Sequence, residues 1–84
     1  METAEIRNLV IDMKATGEKI RELRKDRHIR VATIQAVMGF SEPRAVYKWQ
    51  SGESVPSIDN LIKLGKLLDT PIEKMIVVRS GRAA

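Results

Sequence analysis

The stretch VMGFSEPRAVYKWQSG (37–52) decides how this chain folds. Its Gly-Phe-Ser sequence at 39–41 interrupts a short run with helical spacing, and glycine suits the left-handed conformation that ends many helices. Ser41 or Glu42 can cap a new helix, and Pro43 fits its first turn, because the backbone N–H groups of that turn have no partner within the helix. The sequence therefore predicts two short helices joined by a tight turn, the second over 43–51.

The second of these helices has two distinct sides on a wheel of about 100° per residue. The apolar side carries Ala45, Val46 and the only tryptophan of the chain, Trp49. The opposite side carries two cations, a phenol and a hydroxyl: Arg44, Lys48, Tyr47 and Ser51. We expect the tryptophan side to face the core and the basic side to face outward.

A short helix, a glycine turn and a basic outward-facing helix form the layout of a helix-turn-helix DNA reader. An α-helix fits the major groove of DNA, and arginine and lysine donate to the O6 and N7 acceptors of guanine. The N-terminus of the helix also directs backbone N–H groups at phosphate. A solvated helix face that carries Arg44 and Lys48 explains the same pattern, so both interpretations stay open at this point.

Working outward from this stretch, apolar residues recur with helical spacing and no segment alternates as a strand does. The other helices are predicted over 3–15, 17–27, 31–38 and about 57–68, with a last turn or two up to 76. Thr16 is the expected cap of the second helix. The fifth helix is expected to turn one stripe of residues inward: Ile58, Leu61, Ile62, Gly65 and Leu68.

The length of 84 residues suffices for one small core and no second domain. We expect a helical N-terminal extension over 1–16 and a compact helical domain over 17–76. The remaining tail, 77–84, is predicted to be frayed or briefly extended.

The composition excludes several classes of protein. The chain has no cysteine and a single histidine, His28, so disulfides, a thiolate metal site and a histidine pair on a metal are excluded, and no nucleophile–base–acid set is recognisable. No apolar run approaches the ~20 residues that cross a bilayer, and no signal-peptide pattern is present at the start. We expect a soluble cytoplasmic protein that is not an enzyme and has no metal, cofactor or membrane partner. The net charge of +4 permits a polyanionic partner.

A run of cations over 19–30 is interleaved with Glu18, Glu22 and Asp26. A solvated helix face of mixed charge accounts for most of it, because opposite charges three or four residues apart support a helix. A phosphate contact from this run stays open, with Arg30 as the first candidate.

Four segments in a fixed order carry a resemblance to a known family: IRELRKDRHI (20–29), VMGFS (37–41), VYKWQSGESVPSIDNLIKLGKLL (46–68) and PIEKMI (71–76). They resemble the Cro/CI-type helix-turn-helix family, also called the xenobiotic-response-element family of repressors. The resemblance implies an all-α, lambda-repressor-like domain of five helices, of which the second and third form the helix-turn-helix. The helix predicted over 3–15 would be an addition in front of that domain.

The resemblance also implies which residues contact double-stranded DNA. The expected set is Arg30, Ser41, Pro43, Arg44, Tyr47, Lys48 and Ser51. Counted back from Trp49, the base-reading positions of the family fall on Pro43, Arg44 and Lys48.

The sequence departs from the family pattern at five places near the expected reader, one of which is Gln35, where the family usually has alanine at the crossing of the two helices. Arg30 and Val31 stand where the family usually has a Thr-Gln pair, and the turn holds one residue more than usual over 41–43. Ser51 replaces an asparagine that often contacts the DNA backbone, and Glu53 replaces a frequent lysine. A phosphate contact at Glu53 is therefore not expected.

Two kinds of function fit these features. One is a sequence-specific DNA-binding transcriptional regulator, expected to be a repressor and a homodimer, since two half-sites raise affinity and specificity. The other is a protein-interaction module on the same fold, such as an antitoxin, a coactivator or an adaptor. A dimer would form through the first predicted helix, through Val77 and Val78, which can pair as a short strand with a symmetry mate, or through both. Packing of that helix on its own domain, with a frayed tail, stays open.

Overall fold

The computed structural model describes residues 2–81. Its elements are α1 (Thr3–Arg7), β1 (Leu9–Ile11), α2 (Met13–Asp26), α3 (Val31–Met38), α4 (Arg44–Ser51), α5 (Ile58–Leu67), α6 (Ile72–Met75) and β2 (Val78–Ser80). The expected fold is confirmed, because α2 to α6 form a five-helix domain and α1 precedes it. A small sheet of two strands is added to this helical fold.

The core of the described region lies among the five helices α2 to α6. It consists of Ile20, Ile34, Met38, Val46, Trp49, Leu61, Leu64, Leu68 and Met75. Phe40, from the turn between α3 and α4, packs edge-on against Trp49 with ring centroids 5.7 Å apart. The tryptophan side of α4 therefore faces the core, as its spacing predicts.

The buried stripe of α5 differs from the prediction. Leu61, Leu64 and Leu68 face the core, whereas Ile58 is 74% exposed and Ile62 is 48% exposed. The inward placement of these two isoleucines is wrong because α5 carries apolar residues on adjacent faces. Two sets of apolar residues then have helical spacing. Packing of α5 against α3 determines that the set containing Leu64 is buried.

The N-terminal segment is not the single helix predicted over 3–15. Helix α1 has five residues, β1 follows it, and α2 begins at Met13. Asp12 caps α2, since its Oδ1 accepts a hydrogen bond of 2.9 Å from the backbone N–H of Ala15. Thr16 is consequently not a cap but a buried residue inside α2. The carboxylate cap and the strand-favouring residues before it outweigh the helical spacing.

The two strands join the ends of the described chain in an antiparallel sheet. The pairs are Leu9 with Ser80, Val10 with Arg79, and Ile11 with Val78. An extended tail segment is therefore present as β2, and within the chain it pairs with β1. Residues 82–84 of the predicted tail lie outside the described residues.

Candidate nucleic-acid interface

The turn between α3 and α4 is fixed by its backbone and by one side chain. Gly39 has a φ of 75°, in the left-handed region that favours glycine. The backbone N–H of Phe40 donates to the carbonyl of Gln35 at 3.0 Å, and Gln35 Nε2 donates back to the carbonyl of Phe40 at 3.2 Å. Gln35 therefore holds the turn, a role that its place in the sequence does not reveal.

Helix α4 presents the predicted side to solvent. Val46 and Trp49 are buried, at 0% and 4% exposure, and so place the opposite side of the helix outward. Tyr47 is 55% exposed, Arg44 is exposed and Lys48 is half-buried. A cation, a phenol and a second cation therefore lie within one turn on the accessible face of a helix whose back is anchored.

The position of α4 is fixed by a close approach to α2. A Cβ atom added to Gly17 would overlap the carbonyl oxygen of Trp49 and lie 2.6 Å from that of Gln50. Only glycine lets the two backbones come this close, because any side chain would push the helices apart. Helix α2 therefore supports α4 directly behind the outward-facing side chains.

A polar bridge adds to this support. Arg24 on α2 donates through Nε to Gln50 Oε1 at 3.0 Å and through Nη1 to the carbonyl of Ile29 at 3.1 Å. Its guanidinium thus links the end of α4 to the segment that leads into α3. This cation of the mixed-charge run has a structural role within the domain.

The end of α4 also packs closely on the start of α2. Gly52 has a φ of 82°, and a Cβ atom there would lie 2.7 Å from the Cα of Lys14. Both the conformation and the space at this position therefore require glycine. Gly17 and Gly52 together set the place of α4 on α2.

A surface depression lies where the turn meets α4. It is lined by Gly39, Phe40, Ser41, Glu42, Arg44, Ala45 and Lys48. Three of the predicted DNA-contacting residues, Ser41, Arg44 and Lys48, therefore share one site. Glu42 is an exposed carboxylate in the same depression. The expectation that Ser41 or Glu42 caps α4 is wrong, because Pro43 is the N-cap and no side chain makes a capping hydrogen bond. The place of Glu42 in the lengthened turn is the signal that could have identified it as part of this site.

The other predicted contact residues lie around this depression or at the helix ends. Pro43 is exposed and directly precedes α4, while Arg30 is exposed at the N-terminal end of α3. Ser51 is exposed at the end of α4, where its Oγ donates to the carbonyl of Lys48 at 3.1 Å. The hydroxyl proton of Ser51 is thus used within the helix, which leaves its oxygen as an acceptor.

Among residues 2–81, no group of three or more His, Asp and Glu side chains is placed to hold a metal ion. None of the helices in this range has the length and apolar character to span a bilayer.

A family model, curated proteins and a solved structure are similar to this chain. A family model described as helix-turn-helix matches residues 20–75, from within α2 to the end of α6. A candidate HTH-type transcriptional regulatory protein of Methanocaldococcus jannaschii is 33% identical over 64 residues, which is 76% of this chain and 20% of that protein. One of Pyrococcus horikoshii is 26% identical over 70 residues, with coverages of 83% and 22%. The chain thus spans about a fifth of the length of these curated relatives.

A solved structure has a similar fold. The restriction-modification controller protein C.AhdI of Aeromonas hydrophila superposes with a TM-score of 0.68 at 25% sequence identity. The match covers 76% of this chain and 96% of that chain. A protein that consists almost wholly of the matched domain therefore shares this fold.

Proposed function

We propose, from the premise that this chain belongs to the Cro/CI-type helix-turn-helix family, that it is a sequence-specific transcriptional regulator of double-stranded DNA. In this proposal α4 lies in the major groove, and the protein acts as a repressor in the cytoplasm. The family relation supports DNA binding, and the names of the curated relatives agree with a regulatory role.

The observation that carries the proposal is the outward face of α4. Arg44 and Lys48 are four residues apart, so both point to the same side of the helix. Val46 and Trp49 fix the opposite side in the core. A helix presented in this way offers hydrogen-bond donors to base edges without rearrangement of the domain.

Each residue of the site has a distinct role in the proposal. Arg44 and Lys48 donate to guanine O6 and N7 in the groove, which is the commonest specific contact between protein and DNA. The Tyr47 hydroxyl donates to a phosphate oxygen beside them. Phosphate contacts by Ser41 and Arg30 position the domain and carry no sequence information themselves.

The two remaining predicted contact residues are Pro43 and Ser51, and neither donates a hydrogen bond directly to DNA in the proposal. Pro43 leaves the start of α4 without a bulky polar side chain, so the helix end can approach the DNA closely. The Ser51 oxygen accepts a hydrogen bond from a water molecule bound at the DNA backbone.

The proposed homodimer follows from the small number of base contacts that a single α4 can make. The proposed repressor role follows from occupation of the DNA groove. A single unit with few base contacts gives limited specificity, whereas two units read two half-sites about one helical turn apart. Occupation of such a site excludes other proteins from the same groove. For the reader unit we propose residues 12–76, with the predicted boundary at 17 moved because α2 begins at Met13.

Selection of binding sites from random double-stranded DNA tests the proposal. We expect an enriched motif with two related half-sites, and affinity for it that falls steeply as the salt concentration rises. A pool that shows no enrichment over its starting composition would refute sequence-specific binding.

The alternative is a protein-interaction module on the same fold: an antitoxin, a coactivator or an adaptor. One observation favours it, since large apolar side chains near the N-terminus are exposed, among them Ile6 at 56% and Leu9 at 40%. A gel shift with genomic fragments at several salt concentrations separates the two functions, because the module would give no salt-sensitive shift.

A further inference from the structure

The arm, defined here as α1, β1 and β2, contributes nothing to the helical core. Helix α1 buries none of its side chains, and each residue of β1 and β2 is exposed. A sheet of only two strands is at best marginally stable in water unless it packs on something else. Within residues 2–81, part of the sheet edge and apolar surface of the arm is therefore left uncovered.

The arm is nevertheless held in place against α2. The backbone N–H of Val77 donates to Thr16 Oγ1 at 2.9 Å, and this hydroxyl is 3.3 Å from the carbonyl of Val77. The N–H of Asp12 donates to the same carbonyl at 2.8 Å. Thr16 is only 1% exposed, so water does not compete for these bonds. The end of the sheet nearest α2 is thus fixed to the helical domain.

The hydrogen bonds of the sheet determine which edge of β1 is open. The carbonyl of Asn8 accepts a hydrogen bond from the N–H of Gly81. The N–H of Asp12 donates to the carbonyl of Val77, the residue directly before β2. Backbone groups alternate between the two edges of a strand. Those of Leu9 and Ile11 therefore point away from β2.

This open edge lacks the features that prevent pairing between proteins. Natural edge strands carry charges, a proline or a bulge that stop another strand from adding. Residues 9–11 are Leu, Val and Ile, which are uncharged and favour strands. Their register in β1 is regular, without an extra residue.

We propose that β1 pairs antiparallel with β1 of a second copy of this chain, with Val10 on the two-fold axis. Leu9 of each copy then exchanges both backbone hydrogen bonds with Ile11 of the other. The result is one continuous sheet of the order β2-β1-β1-β2. This pairing is an interface for the proposed homodimer, and the biological role of the interface rests on the proposed function.

A second copy is the occupant that the charges favour. The pairing is self-complementary, because the uncharged side chains of Leu9 and Ile11 face each other twice. Arg79 lies on the outer strand, so the two copies of this cation are three strand spacings apart, about 14 Å. That distance exceeds the Debye length of about 8 Å at physiological salt, and repulsion between them is screened.

The exposed apolar area of the arm is also close to the area that a stable dimer buries. Six large apolar side chains of the arm and its junction with α2 are between 37% and 56% exposed: Ile6, Leu9, Val10, Ile11, Met13 and Val78. Together they expose on the order of 450 Å² of side chain, a size at which an apolar patch indicates an interaction site. Two copies with their strand edges approach the ~1,000 Å² of a specific interface.

The competing apolar patch is the outer side of α5. Ile58 and Ile62 are exposed there, but Lys63 and Lys66 are exposed on the same helix and would repel a second copy. The backbone of α5 is bonded within the helix and offers no unpaired edge. This patch therefore provides the control for the proposed interface.

The test uses the absence of cysteine from the chain. In the proposed pairing Val10 faces its own copy in a non-hydrogen-bonded pair, with Cα atoms about 4.5 Å apart, which a disulfide can bridge. We expect Val10→Cys in the full chain to form a covalent dimer under mild oxidation. Val78→Cys, exposed on the outer strand, is expected to cross-link at least about tenfold more slowly.

Sedimentation of the unlinked proteins gives a second measurement. The wild-type chain is expected to be dimeric at tens of micromolar, and Leu9→Lys to be monomeric with an unchanged helical circular dichroism spectrum. Ile58→Lys is expected to remain dimeric. A monomeric wild type, a monomeric Ile58→Lys beside a dimeric Leu9→Lys, or equal cross-linking of both cysteine variants would each overturn the inference.

Measurement of DNA binding on the same samples separates this inference from the proposed function. Cross-linking of Val10→Cys without any specific DNA binding would leave the interface standing and refute the regulator. Specific binding by a protein that neither cross-links nor sediments as a dimer would refute the interface and leave the reader intact.

Discussion

Arg24 on α2 and Gln50 on α4 are joined by a hydrogen bond of 3.0 Å from Nε to Oε1. The same guanidinium bonds to the carbonyl of Ile29, just before α3. A single side chain therefore spans the supporting helix and both parts of the helix-turn-helix. Its loss is expected to affect the geometry of the reader as well as the stability of the domain.

Arg24→Ala is expected to lower the free energy of unfolding by about 1–3 kcal/mol, because the carbonyl of Ile29 and the amide of Gln50 lose a charged donor. Urea denaturation measures the change. The matched control is Lys25→Ala, which removes an exposed cation from the next position and is expected to change stability by less than ~0.5 kcal/mol. Equal effects of the two variants would show that the bridge contributes nothing.

Gly17→Ala is expected to be strongly destabilising, although alanine favours a helix by about 1 kcal/mol over glycine. The added methyl group overlaps the carbonyl of Trp49, so α2 and α4 must separate, at a cost of roughly 3 kcal/mol or more.

Gly39→Ala is the comparison for this variant, because no atom lies within 4 Å of the added Cβ and only the positive φ opposes it. Its expected cost is about 1–2 kcal/mol. Thermal melting of both variants distinguishes the two causes, and a Gly17→Ala protein as stable as wild type would contradict the close approach of α2 and α4.

Trp49 and Tyr47 form a matched pair of aromatic residues on opposite sides of α4. Trp49→Ala removes a side chain that is 4% exposed and packs against Phe40, with an expected loss of ~3–5 kcal/mol. Tyr47→Ala is expected to leave the melting temperature close to that of the wild type while weakening DNA binding. A cooperative, wild-type melt of Trp49→Ala would mean that α4 faces the other way.

The sequence predicts α4 well and α5 poorly, for one physical reason. On α4, Val46 and Trp49 lie on one side and polar residues on the other, so only one orientation buries the apolar surface. On α5, Ile58 and Leu64 give two possible stripes, and the choice depends on which neighbouring helix is present. Local spacing does not contain that information.

The N-terminal segment could not be predicted for a different reason. The spacing of Ile6, Leu9, Val10 and Met13 fits a helix face, but three consecutive apolar residues also fit a strand. The partner strand Val78–Ser80 lies at the other end of the chain. A long-range pairing of this kind overrides local helical spacing and leaves no short-range signal. The bond from Gln35 to the turn and the place of Glu42 beside Arg44 and Lys48 arise from the turn geometry, so local sequence does not predict them.

Arg44→Ala is expected to reduce the preference for the selected DNA site by ~1–3 kcal/mol, because it removes a contact to a base edge. The fold is expected to stay intact, since Arg44 is exposed. Competition between the selected site and random DNA in a fluorescence anisotropy assay measures the ratio of affinities. The control is Lys63→Ala, an exposed cation on α5, which is expected to leave that ratio unchanged. An unchanged ratio for Arg44→Ala would remove this residue from the base-reading set.

Glu42→Gln is expected to raise the affinity for DNA. The carboxylate shares a surface depression with Arg44 and Lys48, so it lowers the positive potential that phosphate groups meet there. Removal of one exposed charge near the interface is worth about 0.5–1 kcal/mol, or roughly two- to fivefold in affinity at moderate salt.

The matched control for this variant is Glu73→Gln, which removes an exposed carboxylate from α6 and leaves the surface of α4 unchanged. Anisotropy titrations with the selected site and with random DNA are expected to show the gain on both ligands for Glu42→Gln and on neither for Glu73→Gln. A loss of affinity confined to the selected site would contradict the repulsive role. It would mean instead that the carboxylate accepts a hydrogen bond from a cytosine amino group, because glutamic acid reads that base edge in the major groove.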